Sequence, residues 1–345
     1  MEYTIFGRTG LKVSRTSFGC IPIQRIPYEE STAILRHAYN SEITLFDTAN
    51  GYTTSEDRIG TALHDVRNKI ILCTKSGASN PNDLMNHIEN SLTKMKTDYI
   101  DVFQFHKPDF VPRPNAEDGM YDTLKKAQTQ GKVRFIGMSA HNIDLARETV
   151  ESGLYDTIQF PISHISTEEE IQFTKFCHEK NVGYLGMKAL CGGILTNAKA
   201  AFAFLRQFEN VIPIWGIEKM SELEEIISYE KTPPILDTAL QKEIDKDRAE
   251  LAETFCRACG YCLPCPAKIP IPMAARMKFL LSRMYAPTFL TPEWEENMSR
   301  ISSCTNCGHC KANCPYKLDV PELLKFHQSA HTQALREATN QRERI

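Results

Sequence analysis

Eight short apolar segments alternate with longer amphipathic segments from about residue 17 to residue 230, and this alternation strongly constrains the fold. Each short segment is rich in β-branched or aromatic residues, as is typical of a strand buried on both faces. Eight strands and eight helices in this length predict an α/β fold, the (β/α)8 barrel. A doubly wound sheet is the alternative, but no GxGxxG loop follows the first strand. The predicted strands are Thr16–Cys20, Thr44–Ala49, Lys69–Lys75, Tyr99–His106, Val133–Ser139, Thr157–Phe160, Val182–Lys188 and Val211–Trp215.

The segments between these strands have helical periodicity. Asn82-Asp83 and Ser166-Thr167 are expected helix starts, and Gly131 and Gly153 are expected stops. Predicted helices include Ser31–Tyr39, Asp83–Met95, Tyr121–Gln130, Asp144–Glu151 and Thr167–Lys180.

Both ends of the chain lie outside the barrel pattern. Tyr3–Phe6 and Leu11–Val13 flank a glycine-rich turn, which predicts a β-hairpin that plugs one end of the barrel. The sequence KTPP at 231–234 marks a boundary. We therefore expect a barrel over residues 1–230, a second domain over 231–330 and a frayed polar tail over 331–345. Helices are expected in the second domain over about Asp237–Glu253 and Pro272–Tyr285.

Eight of the twelve cysteines form two tight runs, each followed by a proline. The second run has the iron–sulfur spacing of bacterial two-cluster ferredoxins, C-x2-C-x2-C-x3-C-P, and the first differs from it by one residue. Two 4Fe-4S clusters that carry electrons one at a time are therefore predicted. Zinc explains neither the four-cysteine runs nor the prolines, and disulfides require an oxidising compartment. The runs are Cys256, Cys259, Cys262 and Cys265, then Cys304, Cys307, Cys310 and Cys314.

In two-cluster ferredoxins the fourth cysteine of each run ligates the other cluster. Carried over to this chain, the resemblance implies that Cys314 joins the first three cysteines of the first run. It implies equally that Cys265 joins Cys304, Cys307 and Cys310. The 38 residues between the runs favour a helical dicluster domain over a compact β-rich one. Because such ligation ties the ends of the domain together, removal of iron is expected to unfold it.

Charge and composition argue against several classes of function. A net charge of −3 gives no indication of nucleic-acid or membrane binding. Because there is neither an apolar signal segment nor a run of roughly 18 apolar residues, a cytoplasmic location is expected. Residues 251–330 contain nine Lys and Arg against six Asp and Glu. This excess either favours an acidic electron carrier or belongs to a solvated surface.

Polar side chains stand where the second, third and fourth predicted strands end, which is where this fold places catalytic groups. They are Asp47, Tyr52, Lys75 and His106. The surrounding segments resemble, in order, the signatures of the aldo-keto reductase family over about residues 3–228. The segments are 6–14 (FGRTGLKVS), 46–52 (FDTANGY), 71–75 (ILCTK), 99–106 (YIDVFQFH) and 131–139 (GKVRFIGMS). Beyond them, the chain looks like the branch of that family with a ferredoxin-like C-terminal domain.

The resemblance implies a role for each of the four residues. Tyr52 would be the general acid that protonates a carbonyl oxygen as the carbon gains a hydride. A free tyrosine has a pKa of about 10, and the Lys75 ammonium would lower it. Asp47 would hold Lys75 charged and oriented, and His106 would donate a hydrogen bond to the substrate oxygen.

The resemblance also implies NAD(P)H as cofactor and a small carbonyl or alcohol as substrate. Ser139 and Gln159 keep two of the expected contacts to the carboxamide of nicotinamide, although Ala140 replaces the usual asparagine. Met187 stands where the family often has a tyrosine that stacks on the ring. Lys188 beside it suggests a negatively charged ligand or a structural ion pair.

The predicted phosphate end departs further from the family pattern. Glu222 stands about where NADPH enzymes of the family have an arginine, and a carboxylate there would repel a 2′-phosphate. NADH is therefore favoured over NADPH. Lys219 and Ser221 would hold an anion at the start of the last barrel helix. Gly192-Gly193 would let the backbone approach a phosphate closely, or would form a simple turn.

Three functions remain open, because a hydride carries two electrons and a cluster accepts one. The first is a reductase that takes hydride from NAD(P)H while the clusters feed or sense electrons. The second is a ferredoxin-linked oxidoreductase whose barrel holds a flavin or reacts by stepwise electron and proton transfer. The third is a non-catalytic electron-transfer or redox-sensing module. A ferredoxin-type electron carrier is a candidate partner.

Overall fold

A computed structural model describes residues 1–251 and 254–342, and the chain divides into two compact units. The first comprises Met1–Ala189 and Ala198–Lys242, and the second comprises Leu190–Asn197 and the chain from Glu243. The sequence predicted a boundary after residue 230, at the proline pair. The division falls later, because a proline pair ends a helix but does not decide which core the next helix joins.

The first unit contains a β-hairpin and a closed barrel of eight strands. Each barrel strand pairs with its neighbours in parallel, so all eight carboxyl ends lie at the same end of the barrel. The predicted (β/α)8 fold is confirmed, and every predicted strand overlaps an observed one. The strands are β1 Tyr3–Ile5, β2 Lys12–Ser14, β3 Ser17–Gly19, β4 Leu45–Asp47, β5 Ile71–Ser76, β6 Ile100–His106, β7 Val133–Ser139, β8 Thr157–Pro161, β9 Gly183–Met187 and β10 Val211–Gly216.

Helices connect successive barrel strands, and their starts follow from local capping. Thr167 caps its helix by accepting from the Glu170 amide, and the Glu170 carboxylate accepts from the Thr167 amide in return. At the predicted Asn82-Asp83 start, the cap is instead Asn80, whose side chain accepts from the Asp83 amide. The helices are α1 Tyr28–Asn40, α2 Ser55–Leu63, α3 Pro81–Met95, α4 Met120–Thr129, α5 Ile143–Glu151, α6 Glu168–Glu179, α7 Ala198–Leu205 and α8 Met220–Lys231.

The β1–β2 hairpin contributes to the barrel core, as predicted. Phe6, which follows β1, and Val13 on β2 are fully buried in one cluster with barrel residues such as Leu45 and Leu185. A Cβ added at Gly183 would lie only 2.5 Å from the Phe6 ring, so the ring and the β9 backbone fit closely. The hairpin thereby adds apolar side chains to the core of the barrel.

The second unit is helical. An arginine network holds it together: Arg283 donates to Asp247 at 2.6 Å and to the Ile194 carbonyl oxygen at 3.2 Å, and it also pairs with Glu250. The helices from residue 238 onward are α9 Thr238–Leu251, α10 Ile271–Ala274, α11 Met277–Arg283, α12 Pro292–Ser299, α13 His309–Ala312 and α14 Val320–Arg342. Helix α9 begins as predicted, and its predicted end at Glu253 lies outside the described residues.

Two expectations for this unit need correction. The single helix predicted over Pro272–Tyr285 is broken into α10 and α11, because the backbone at Arg276 is not helical and the His327 ring accepts from the Lys278 amide at the start of α11. The predicted tail is helical through α14, where buried His331 bonds the Phe289 carbonyl oxygen at 2.8 Å. Residues 343–345 of that tail lie outside the described chain.

A membrane span requires a long, apolar helix. Among the helices of residues 1–251 and 254–342, none has both the length and the apolar character required.

Candidate functional site

The carboxyl ends of β4, β5 and β6 bring the four predicted catalytic residues together. Asp47 ends β4, Lys75 is the penultimate residue of β5 and His106 ends β6, while Tyr52 lies in the loop between β4 and α2. The backbone holds this loop, since the Asn50 amide donates to the Lys75 carbonyl oxygen at 2.9 Å and the Tyr52 amide to that of Ala49. The sequence prediction thus placed all four in one site.

Lys75 is bound tightly by Asp47. Its Nζ donates to the two carboxylate oxygens at 2.9 and 2.7 Å and to the Thr48 carbonyl oxygen at 2.6 Å. Both side chains are buried. Burial alone would lower the pKa of Lys75, but the charge of Asp47 and its hydrogen bonds to Lys75 outweigh burial and raise that pKa above its ordinary value. The ammonium is therefore charged and fixed in one position.

Two glutamines hold the far side of the Asp47 carboxylate. Gln159 Nε2 donates to it at 3.3 Å and Gln104 Nε2 at 3.5 Å, while Gln104 also donates to Gln159 Oε1 at 2.9 Å. Sequence reasoning missed Gln104. The sequence did contain a signal for Gln104, because it lies two residues before His106 on one strand and both side chains therefore lie on the same face.

Tyr52 lies close to both Lys75 and His106. Its ring is perpendicular to that of His106, with centroids 5.9 Å apart and planes at 83°, and Lys75 Nζ lies 5.5 Å from its centroid. Burial raises the pKa of Tyr52, and the Lys75 charge only partly offsets this, so the net pKa stays above the ordinary value. Lys75 lowers the pKa as expected, but the sequence did not predict the larger effect of burial. At neutral pH the phenol keeps its proton.

His106 is a neutral imidazole near pH 7. Burial, followed by the charges of Lys75 and Lys107, lowers its pKa to about 3. A neutral ring has one N–H to donate. The site therefore presents a protonated phenol and a neutral imidazole next to a buried ammonium.

Three predicted cofactor contacts stand on the neighbouring strands. Ser139 ends β7 opposite His106 on β6, and Gln159 lies opposite Ser139 on β8. Met187 ends β9 and packs against the barrel core. Lys188 follows it with a left-handed backbone, φ +66°. These residues continue the same rim of strand ends as the four catalytic candidates.

The start of α8 fits a phosphate less well. The Glu222 carboxylate accepts from the amides of Glu218 at 2.8 Å and Lys219 at 3.0 Å. It therefore occupies two of the backbone donors that an anion at Lys219 and Ser221 would need. Both of the predicted anion-binding residues are present there, but their helix end is already capped by the chain's own carboxylate.

Gly192 and Gly193 belong to the second unit, unlike the other predicted cofactor residues. Both have positive φ, +71° and +89°. A Cβ added to Gly192 would lie 3.4 Å from Arg276 Nη1, and one added to Gly193 would lie 3.5 Å from the Met284 Cε. The two glycines thus permit a turn packed against α10–α11 side chains of the same unit.

A cavity in the second unit is lined by five of the predicted cluster ligands. Cys265, Cys304, Cys307 and Cys310 surround it together with Cys262, and Ile269, Ile271, Pro321 and Leu324 make its apolar walls. The first four are the thiol set that interleaved ligation requires for one cluster, and Cys262 belongs to the other set. Apolar walls around several thiols fit an iron–sulfur cluster.

The other predicted set is also gathered. Cys259 and Cys314 lie near enough to Cys256 to act electrostatically on its thiol, and Cys256, Cys259 and Cys310 act in the same way on Cys262. Cys314 therefore lies near the first run, although the second run contains it. No three His, Cys, Asp or Glu side chains of the described chain surround a single-ion site.

The four remaining cysteines, Cys20, Cys73, Cys177 and Cys191, are buried. Cys20 lies beside the candidate active site: its amide donates to the Asp47 carbonyl oxygen at 2.8 Å. Burial raises the pKa of its thiol well above the ordinary value, so the sulfur is uncharged.

Comparison with known proteins finds a matching family for the barrel and another for the cysteine-rich segment. The sequence profile of the Aldo/keto reductase family matches residues 16–203, more than half of the chain, and the 4Fe-4S dicluster domain matches residues 255–319. Among solved structures, aldo-keto reductase AKR11C1 from Bacillus halodurans superposes with a TM-score of 0.63 at 18% identity. The superposed region covers 71% of this chain and 96% of the Bacillus halodurans protein, and the similarity supports the barrel fold.

Two relatives are similar in sequence. Aldo-keto reductase YhdN of Bacillus subtilis is 32% identical over 57% of this chain, and L-galactose dehydrogenase of Arabidopsis thaliana is 27% identical over 57%. The matches span 64% and 67% of the relatives' own lengths, just under two thirds in the first case. The chain belongs to the aldo/keto reductase family of oxidoreductases and carries a 4Fe-4S dicluster domain after its barrel.

Proposed function

We propose that the barrel transfers hydride between a nicotinamide cofactor and a small carbonyl or alcohol substrate, with Tyr52 as general acid. The observation that carries this proposal is the Asp47–Lys75 pair beside Tyr52, with neutral His106 also next to the Tyr52 ring. Bound nicotinamide would supply the hydride. Ser139 and Gln159 would hold its carboxamide, and Met187 would pack against its ring.

The protein side of the reaction is a proton transfer. In reduction, the substrate carbon gains two electrons with the hydride, and its oxygen takes the proton of Tyr52. The phenolate left behind is stabilised by the Lys75 ammonium, which Asp47 keeps in place. His106 donates its single N–H to the same oxygen and fixes its direction. In oxidation, the alcohol proton would return to the Tyr52 phenolate and the hydride would leave the substrate carbon for the cofactor.

The preference for NADH over NADPH follows from the first turn of α8. The Glu222 carboxylate faces the amides of Glu218 and Lys219 and would repel a 2′-phosphate. NADH is thus the favoured form of the cofactor.

The two clusters are assigned to interleaved cysteine sets. One takes Cys256, Cys259, Cys262 and Cys314, and the other takes Cys265, Cys304, Cys307 and Cys310. The cavity that the second set lines and the proximity of Cys314 to Cys256 support this assignment. Each cluster would carry one electron at a time and exchange it with a ferredoxin-type carrier.

A second candidate function is supported by the capped start of α8. The Glu222 carboxylate accepts from two backbone amides that could otherwise donate to a phosphate of the cofactor. This barrel is therefore less suited to binding a dinucleotide than the barrels of other family members. A ferredoxin-linked oxidoreductase would hold a flavin in the barrel or move electrons and protons in separate steps. The same Tyr52 would remain its proton donor.

The test is NADH and NADPH oxidation under anaerobic conditions with a panel of aldehydes and ketones, followed by extraction of any flavin. Turnover with NADH supports the first function. No turnover together with extracted flavin supports the second. Absence of turnover, of flavin and of any effect of Tyr52→Phe on electron transfer would support a non-catalytic redox module instead.

A further inference from the structure

Arg276 is a buried charge between α10 and α11. The side chain is 8% exposed. Its Nε donates to the Pro272 carbonyl oxygen at 2.8 Å, and its Nη2 lies 3.1 Å from the Met273 sulfur. Neither of these partners is charged, and the backbone of Gly192 packs against Nη1. The guanidinium is therefore held in one place by neutral groups.

No carboxylate of the described residues pairs with this guanidinium, and the titratable groups near enough to act on it are the thiols of Cys256 and Cys191. Arg283 in the next helix is the contrast, because Asp247 and Glu250 neutralise it. An arginine in a protein does not lose its proton. A buried cation needs a negative partner, and among the described residues these two thiols are the groups that could supply one by losing a proton.

The assigned ligand set supplies the missing negative charge. Cys256 would be a thiolate ligand, and a cubane with four thiolate ligands is an anion. We propose that Arg276 is the internal counter-cation of the cluster that Cys256 ligates and that it raises the reduction potential of that cluster. The inference rests on the proposed assignment of Cys256.

The effect on the potential follows from Coulomb's law. Reduction adds one electron and hence one negative charge, while Arg276 stays protonated. A fixed positive charge in a low-dielectric interior therefore stabilises the reduced cluster more than the oxidised one. The described residues that line the cavity of the other set include neither arginine nor lysine. The two clusters should accordingly have distinct potentials, with the Cys256 cluster the more easily reduced.

The experiment is an anaerobic potentiometric titration of the full chain, followed by electron paramagnetic resonance, after iron has been counted. Arg276→Met removes the charge and Arg276→Lys keeps it. Arg336→Met is the matched control, since it removes the same charge from an exposed position on α14. We expect one of the two reduction steps to move negative by at least 59 mV in Arg276→Met, a tenfold change in the ratio of reduced to oxidised cluster. Arg276→Lys should retain most of the wild-type potential.

Each result decides the proposal. If both steps of Arg276→Met stay within the shift of Arg336→Met, Arg276 does not act on a cluster. If Arg276→Met loses iron while Arg276→Lys keeps it, the charge is needed and the counter-cation role stands. If both variants lose iron, shape matters rather than charge and the proposal fails. A wild-type protein without about eight irons would instead overturn the cluster assignment itself.

Discussion

At the scale of single residues, the site depends on one buried ion pair and two uncharged groups. Asp47 and Lys75 neutralise each other, while Tyr52 and His106 are kept neutral by burial. The sequence predicted that these four residues lie together, from their positions at strand ends and in the loop after β4. It did not predict the net pKa of Tyr52, because the balance between burial and the Lys75 charge depends on packing around the ring.

Replacement of Lys75 by methionine should destabilise the protein strongly. It leaves the Asp47 carboxylate buried without its cation, which costs about 3–5 kcal/mol. Urea denaturation followed by circular dichroism measures the loss. Lys132→Met is the control, because it breaks the exposed Lys132–Glu89 pair, worth about 0–1 kcal/mol. Equal losses in the two variants would contradict the description of the buried pair.

His106 should make the folded protein sensitive to acid. Its pKa is about 3 in the folded chain against an ordinary value of 6.5, so the unfolded state binds more protons between these values. The His106 contribution is present above pH 6.5 and is lost as the pH falls towards 3. His106→Gln should therefore lose less stability than wild type between pH 7 and 5, measured as the shift in urea midpoint. A larger loss in the variant would refute the assignment of a neutral imidazole.

At the scale of elements, the period of the apolar pattern was sufficient to place the barrel strands and the helices between them. The exceptions have local causes that pattern alone does not contain. The break at Arg276 depends on His327, which is distant in sequence and accepts from the first turn of α11. The cap of α8 depends on which backbone amides donate to the Glu222 carboxylate.

The start of α8 should control the choice between NADH and NADPH. Glu222→Arg replaces a repulsive carboxylate with a cation that attracts the 2′-phosphate. We expect the ratio of kcat/KM for NADPH to that for NADH to rise at least tenfold, about 1.4 kcal/mol. Glu225→Arg makes the same charge change later in the helix and should leave the ratio nearly unchanged. Equal shifts in both variants would indicate a general charge effect rather than a phosphate contact.

At the scale of the whole molecule, the chain combines a barrel with a cluster-binding unit of its own. The spacing of the cysteines predicted the second unit, because the ligands of one cluster come either from one short run or from two runs that exchange a cysteine. It did not predict that residues 190–197, between β9 and α7, group with this unit. Contacts such as that of Arg283 with the Ile194 carbonyl oxygen join segments far apart in sequence.

Interleaved ligation predicts which cluster each cysteine supports. Cys314→Ala should abolish the cluster of the first run, since Cys314 is assigned to it, and lower the iron content from about eight to about four per chain. Iron analysis with electron paramagnetic resonance measures this. Cys177→Ala on α6 is the control and should keep all the iron. If Cys314→Ala removes instead the cluster bound by Cys304 and Cys307, each run ligates its own cluster.

The most direct test of the central claim is the fate of labelled hydride. The protein is supplied anaerobically with NADH deuterated at the transferred position and with a carbonyl substrate found in the panel. We predict deuterium on the carbinol carbon of the product and a fall in turnover of about 10²–10⁴-fold in Tyr52→Phe. Loss of the label to solvent, or a Tyr52→Phe variant as active as wild type, would contradict direct hydride transfer with Tyr52 as the acid.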